Sequence, residues 1–315
     1  MKTGVITSQQ VKAQARELGA DLVGVCRAEE VNAHPPDPSV PQTPARLWPE
    51  CQSLVVLAKR IPWGMLRAQD LMAKLYTPHL VMHDLDHIAL DISYFLEDQG
   101  YHAFPVPEQQ TDVALKRGTY GSLSLRHLAV EAGLGTLGLN MMLLTPRFGP
   151  RVYLGAVMTD APLEPDGLPR HPVCLGVACG RCLLVCPSNA VEHWGLNKRE
   201  CSRNAQRFGV PSLFRYIDQM REAPPEKRWE MARSIEVVNF WQALRSGTGA
   251  YAGCPRCIET CPVGEDYHRH LKERHAVLPE ATEEKRARRQ AMLHAEERGD
   301  KPPGLDVSRR WLGYA

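Results

Sequence analysis

At 315 residues the chain exceeds the usual size of one domain, so one large domain or two modest ones is expected. Hydrophobic residues make up 43% and charged residues 23%, the balance of a globular protein with a real core, and the formal net charge of +2 is too close to neutral to make nucleic acid an obligatory partner. Met1 to Gly19 contains neither an apolar export core nor a twin arginine, and no apolar run approaches the ~18 residues of a membrane span. A cytoplasmic protein with no membrane partner is therefore expected, and in that compartment ten cysteines point to metal rather than to disulfides.

A first helix is expected from Ser8, taken as its cap, with Val11, Ala15 and Leu18 on its apolar face and Gly19 as its stop. Residues 20–25 read as a strand. Pro35, Pro36, Pro38, Pro41 and Pro44 mark an extended loop, and the apolar run 53–58 suits a buried strand. Asp84 is taken to cap the next helix, in which Leu85, Ile88, Ile92 and Phe95 recur at spacings of three and four before Gly100. Residues 101–106 and 151–158 read as strands, with a helix near 124–132 between them. This order of helices and strands predicts a layered α/β domain over residues 1–162.

The composition changes at about residue 162. Pro162, Pro165, Pro169 and Pro172 form a linker-like stretch, and cysteines then become dense through residues 163–270, around a helical, charged insert at 202–253. Residues 271–315 read as a charged helical tail. Its helix starts at Thr282 and presents Lys285, Arg286, Arg288 and Arg289 as a solvated face.

Eight cysteines fall into two runs and one lone residue. The first run is Cys174-x4-Cys179-x2-Cys182-x3-Cys186-Pro187, and the second is Cys254-x2-Cys257-x3-Cys261-Pro262, with Cys201 between them. Two-cluster ferredoxins use C-x2-C-x2-C-x3-C-P, in which the last cysteine of each run ligates the other run's cluster. The first gap here is four residues, and the second run lacks its leading cysteine, a place that Cys201 can take. Cys174, Cys179, Cys182 and Cys261 would then hold one 4Fe-4S cluster, and Cys186, Cys201, Cys254 and Cys257 the other. A plant-type 2Fe-2S centre also uses C-x4-C-x2-C, and zinc uses paired C-x2-C motifs; neither accounts for two Cys-x3-Cys-Pro tails. Cys26 and Cys51 fall in or near expected strands and read as ordinary buried thiols.

A ferredoxin needs no α/β domain of this size, so the N-terminal part is expected to hold a redox cofactor, a substrate or both. Gly133-x-Gly135-x-x-Gly138 has dinucleotide-loop spacing, but it follows a helix and lacks the acidic partner of that fold. The stretches His127-Leu128-Ala129-Val130-Glu131-Ala132-Gly133-Leu134-Gly135, Gly138-Leu139-Asn140, Leu143 to Val152 and Thr159-Asp160-Ala161-Pro162-Leu163, together with the cysteine layout, resemble the family that joins epoxyqueuosine reductases and reductive dehalogenases, closer to the dehalogenase-like branch. The resemblance covers roughly residues 8–265. It implies a nitroreductase-like cobalamin-binding domain fused to a two-cluster ferredoxin-like module, with electrons passing from an external donor (a ferredoxin, flavodoxin or reductase) through both clusters to cobalt.

It also implies site residues. Gly133, Gly135, Gly138 and Asn140 would hold cobalamin. Tyr120 would supply a proton, and Arg151, in Phe148-Gly149-Pro150-Arg151-Val152, would hold the leaving anion. His127 reads as structural. Epoxyqueuosine reductases carry an acidic proton donor at or near the position of Thr119, and Gly-Lys-Asn where this chain has Gly138-Leu139-Asn140. The expected activity is thus reductive cleavage of a carbon–heteroatom bond in a small organic substrate. Epoxyqueuosine reduction in transfer RNA (tRNA) is the alternative, and a non-catalytic electron carrier or corrinoid-handling protein is a third reading.

Overall fold

A computed structural model describes residues 6–107, 110–116, 120–247, 253–300, 302 and 309–313. Its centre is a four-stranded antiparallel sheet of order β1-β2-β6-β3, in which β1 is Leu22–Arg27, β2 is Ser53–Arg60, β3 is Ala103–Val106 and β6 is Val152–Thr159. Two short hairpins complete the strands: β4 (Thr136–Leu137) with β5 (Leu143–Leu144), and β7 (Val191–Glu192) with β8 (Gly195–Leu196).

The sheet separates two cores, because successive side chains of a strand point to opposite faces. Val55 and Leu57 of β2 and Val157 of β6 face one core, whereas Leu54, Val56, Ala58, Ala156 and Met158 face the other. The first face is covered by α1 (Ser8–Glu17) and by the 28-residue α5 (Leu71–Asp98). Short helices α2 (Ala28–Ala33), α3 (Pro44–Leu47) and α4 (Trp63–Arg67) fill the connections. The second face is covered by α6 (Leu125–Glu131) and by the cysteine-bearing segment, so the cysteines share a core with the sheet.

That segment runs through α7 (Gly176–Cys179), α8 (Arg181–Val185), α9 (Lys198–Ala205), α10 (Val210–Glu222), α11 (Pro225–Ala232), α12 (Ile235–Ser246), α13 (Arg256–Thr260) and α14 (Glu265–His270), followed by α15 (Glu283–Glu297). No described helix is long and apolar enough to cross a membrane.

Two expected caps differ. Thr7, not Ser8, caps α1 in a capping box with Gln10, while the Ser8 hydroxyl is buried and donates to Glu164 O at 2.7 Å. Asp84 lies within α5, pairing with Lys59 at 2.5 Å, because Asp70 caps that helix fourteen positions earlier by accepting from Ala73 N. Thr282 does cap α15, accepting from Lys285 N. Lys285 is nevertheless buried, its ammonium donating to Glu280 O, so α15 is not solvated all round. The chain then returns to the core. Arg310 pairs with Glu131 through Nε and Nη2 at 2.7 and 2.9 Å, and Trp311 Nε1 donates to the same carboxylate at 2.9 Å.

Candidate functional site

The cysteines are positioned by two short helices of parallel design. Arg181-Cys182-Leu183-Leu184-Val185-Cys186-Pro187 and Arg256-Cys257-Ile258-Glu259-Thr260-Cys261-Pro262 each place one cysteine in the first turn and another at the helix end. Cys186 (φ −64, ψ 116) and Cys261 (φ −66, ψ 122) are both extended. A following proline disfavours the helical conformation of the residue before it, so Pro187 and Pro262 end each helix at the cysteine. Arg181 ties the two helices together, donating from Nε to Thr260 O at 3.0 Å and from Nη2 to the Tyr267 hydroxyl at 3.1 Å.

All ten cysteines are free thiols, with Cys26 and Cys51 buried and the other eight half-buried. The eight fall into two neighbourhoods. Burial pushes Cys261 up to about 12, with Cys174 and Cys179 adding to the shift, and pushes Cys182 well up, with Cys257, Cys261, Cys174 and Cys179 adding. Burial likewise pushes Cys201 up to about 11 beside Cys254 and Cys186, and Cys257 up to about 12 beside Cys254, Cys201 and Cys186. Cys182 and Cys257 stand where the two neighbourhoods meet.

Among the described residues no three His, Cys, Asp or Glu side chains converge closely enough to hold a single metal ion. The cysteines instead stand as electrostatic neighbours in two groups. The donors around them fit iron–sulfur ligands. Leu139 N and Gly176 N both donate to Cys174 Sγ at 3.4 Å, and Ala190 N donates to Cys186 Sγ at 3.2 Å. The Asn140 side chain beside Cys257, and the backbone N–H groups of Val263 beside Cys261 and of Arg256 beside Cys254, each favour the thiolate. N–H groups aimed at buried sulfur stabilise thiolate and tune an iron–sulfur centre.

The second neighbourhood opens onto a cavity of about 740 Å³, within the ordinary size of a ligand site. Cys201, Cys254 and Cys257 form part of its wall, and Tyr120, Arg126, His127 and Lys198 form another part. Lys198 Nζ lies 3.8 Å from the centroid of the half-buried Tyr120 ring. His127 is buried, with Nδ1 2.6 Å from the Ser124 hydroxyl and its ring edge-on to Trp311 at 4.6 Å. Burial holds its pKa well below the ordinary histidine value, and Arg126 and Lys198 lower it further. Much of the remaining wall is apolar, including Leu123, Met141, Met142 and Leu154. A flat, largely apolar macrocycle is compatible with that lining and with sulfur ligands at its edge.

The other expected site residues are placed differently. Arg151 is 0% exposed and absent from the cavity wall. Its guanidinium donates to both oxygens of Asp266 at 2.7 Å, to Ile258 O and Cys261 O at 3.0 Å, and to Val263 O. A guanidinium has five N–H donors, and all five are engaged. None remains for a leaving anion, so Arg151 is corrected from anion holder to clamp of the Cys257–Cys261 segment.

The three glycines are accounted for by protein packing, and none lines the cavity. Gly133 (φ +75) ends α6, and a side chain there would meet Gly167 O. Gly135 lies against the Leu144 backbone and Gly138 against the Leu144 side chain. Asn140 faces Cys257 rather than the cavity. Thr119 lies outside the described residues. Arg126 and Lys198 were missed by sequence reasoning, since neither sits in a motif; the only local signal was Arg126 directly before His127.

No protein-family model matches the chain. Among curated proteins it is 27% identical over 208 residues to the epoxyqueuosine reductase of Listeria monocytogenes, covering 65% of this chain and 46% of the relative. It is also 27% identical over 218 residues to the tetrachloroethene reductive dehalogenase of Dehalobacter restrictus, covering 67% and 32%. The chain thus matches between a third and a half of the length of these relatives. Among solved structures, a reductive dehalogenase described as suggesting a mechanism for B12-dependent dehalogenation superposes with a TM-score of 0.55 at 18% identity, covering 99% of this chain and 40% of that one. An epoxyqueuosine reductase with a tRNA stem loop gives 0.51 at 22% identity, covering 82% and 65%. At these identities the superpositions establish a shared fold.

Proposed function

We propose that this chain, which belongs to the family joining epoxyqueuosine reductases and reductive dehalogenases, is a cobalamin- and iron–sulfur-dependent oxidoreductase that reductively cleaves a carbon–heteroatom bond, carbon–halogen foremost, in a small organic substrate. One observation carries the reading: Cys201, Cys254 and Cys257 share a single cavity with Tyr120 and Lys198. Cys174, Cys179, Cys182 and Cys261 would hold one 4Fe-4S cluster, and Cys186, Cys201, Cys254 and Cys257 the other. When bound, these clusters and the cobalamin supply electrons from an external ferredoxin, flavodoxin or reductase.

The remaining chemistry belongs to side chains of this protein. Bond cleavage leaves an anionic carbon fragment that must take up a proton. The Tyr120 hydroxyl is the donor on the wall, and the Lys198 ammonium against its ring stabilises the phenolate left behind. The apolar part of the wall lowers the local polarity, which strengthens that interaction.

A second reading, epoxyqueuosine reduction in tRNA, draws on the helices between Cys201 and Cys254. Ala205 and Gln206 line the cavity, while Trp229 and Trp241 are 70% and 54% exposed with Arg233 and Arg245 over their rings. Exposed aromatics interleaved with arginine suit RNA.

The test supplies reduced, reconstituted protein with halogenated aromatics and, separately, with epoxyqueuosine-containing tRNA. Halide turnover is expected, with a loss of roughly 10²–10⁴ in rate for Tyr120→Phe at unchanged iron content. Turnover of the RNA with none of the halides would overturn the first reading in favour of the second. Cobalamin that elutes freely on gel filtration would favour an electron carrier.

A further inference from the structure

Among the described residues, three that carry charge line the cavity: Asp37, Arg126 and Lys198. The Asp37 carboxylate accepts from Ser39 N and Oγ at 2.9 and 2.6 Å. His127 is held neutral by burial. Two cationic groups, Arg126 and Lys198, therefore stand in the wall that Tyr120 shares.

Arg126, half-buried in the cavity wall, contrasts with the buried Arg151 and the half-buried Arg310. Arg151 engages all five donors, and Arg310 is bidentate to Glu131. Arg126 donates only from Nη1 to Met141 O at 2.9 Å, and no carboxylate among the described residues pairs with it. Burial lowers its pKa, and Tyr120 is the sole neighbour that offsets the shift. Lys198 likewise has no described carboxylate partner, and its ammonium rests on the Tyr120 ring. Withdrawing a guanidinium even partly from water without an anion carries a cost. A fold retains such a group where a ligand completes the pair, and the planar fork matches a carboxylate in particular.

We infer that Arg126, assisted by Lys198, is an oxyanion seat for the substrate, which makes the substrate class small organic anions, a carboxylate or phenolate on an apolar body. The inference rests on the proposed reading of this cavity as the substrate site. The seat adjoins Tyr120, so an anion held there presents its carbon framework to the proton donor, with Leu123, Met141 and Leu154 as apolar wall. The nucleotide-loop phosphate of cobalamin offers the same oxyanion chemistry from another source, and the two sources can be told apart.

Calorimetric titration of iron- and hydroxocobalamin-loaded protein with benzoate, and with its neutral isostere benzamide, provides the test. The wild type should prefer benzoate by about tenfold or more. Arg126→Gln should weaken benzoate by about 10–100-fold with little effect on benzamide, the scale of hydrogen bonds to charged groups. Arg126→Lys should retain part of the preference. Iron and corrinoid contents of the same samples report on the underlying reading, so full cofactor loading with equal binding of both probes overturns this inference alone. A chain without corrinoid can be titrated in the same way, since the seat is its own. If Arg126→Gln instead weakens hydroxocobalamin but not cobinamide, which lacks the phosphate, and leaves the benzoate preference intact, the seat serves the cofactor and the substrate assignment is overturned.

Discussion

Replacing Arg151 by methionine removes a guanidinium that is 0% exposed and holds five acceptors. Asp266, 5% exposed, would keep only its bond from Trp63 Nε1, and three carbonyls of the 258–263 segment would each lose a donor. Breaking a buried ion pair from one side costs about 3–5 kcal/mol, because the remaining charge stays buried. Urea unfolding of the iron-free protein, followed by circular dichroism, should show a loss of that size. Arg151→Lys should not restore it, since an ammonium has three donors and no fork. Arg151→Met combined with Asp266→Leu should recover part of the loss, because neither charge is then stranded. The clamp spans Cys261, so iron after reconstitution should fall from about eight toward about four per chain, the content of one cubane. A variant within about 1 kcal/mol of wild type and with full iron would refute the clamp, and would return Arg151 to the role of anion holder.

Wild-type protein reconstituted anaerobically should carry about eight irons and eight sulfides; Cys201→Ala should lose one cluster, whereas Cys26→Ala and Cys51→Ala should lose none. Equal iron loss in all three would mean that the ligand sets are wrong. Asn140→Leu removes a polar side chain that favours the Cys257 thiolate, and with it the more negative, reduced cluster. Its potential should fall by up to ~60 mV in an EPR-monitored titration, the one-electron equivalent of an ordinary net hydrogen bond, and an unchanged potential would remove Asn140 from the site. His127 titrates well below the ordinary histidine value in the fold, so the unfolded chain binds its proton first as pH falls. Stability should therefore drop below about pH 6.5, by up to ~1.4 kcal/mol per pH unit from this group. His127→Gln should flatten that slope, and an identical pH profile would show that folding leaves the His127 pKa unshifted.

The sequence by itself determined what local spacing can determine. Two Cys-x3-Cys-Pro runs encode their geometry directly, since a helical turn separates the cysteines and a proline forces the second out of the helix. The apolar run 53–58 likewise declared a buried strand, and Thr282 a helix cap. Pairing was another matter. The antiparallel order β1-β2-β6-β3 pairs residues up to 106 positions apart, Ser53 with Thr159, and no local signal carries it. Charge partners were equally hidden. Arg151 sits in a motif, yet Asp266, 115 positions away, uses up its charge. Arg126 and Lys198 sit in no motif, yet folding brings both to one cavity, where no described carboxylate pairs with either. Residue type says which groups can bear charge; only the tertiary structure decides which charges are already neutralised, because that depends on neighbours distant in the chain.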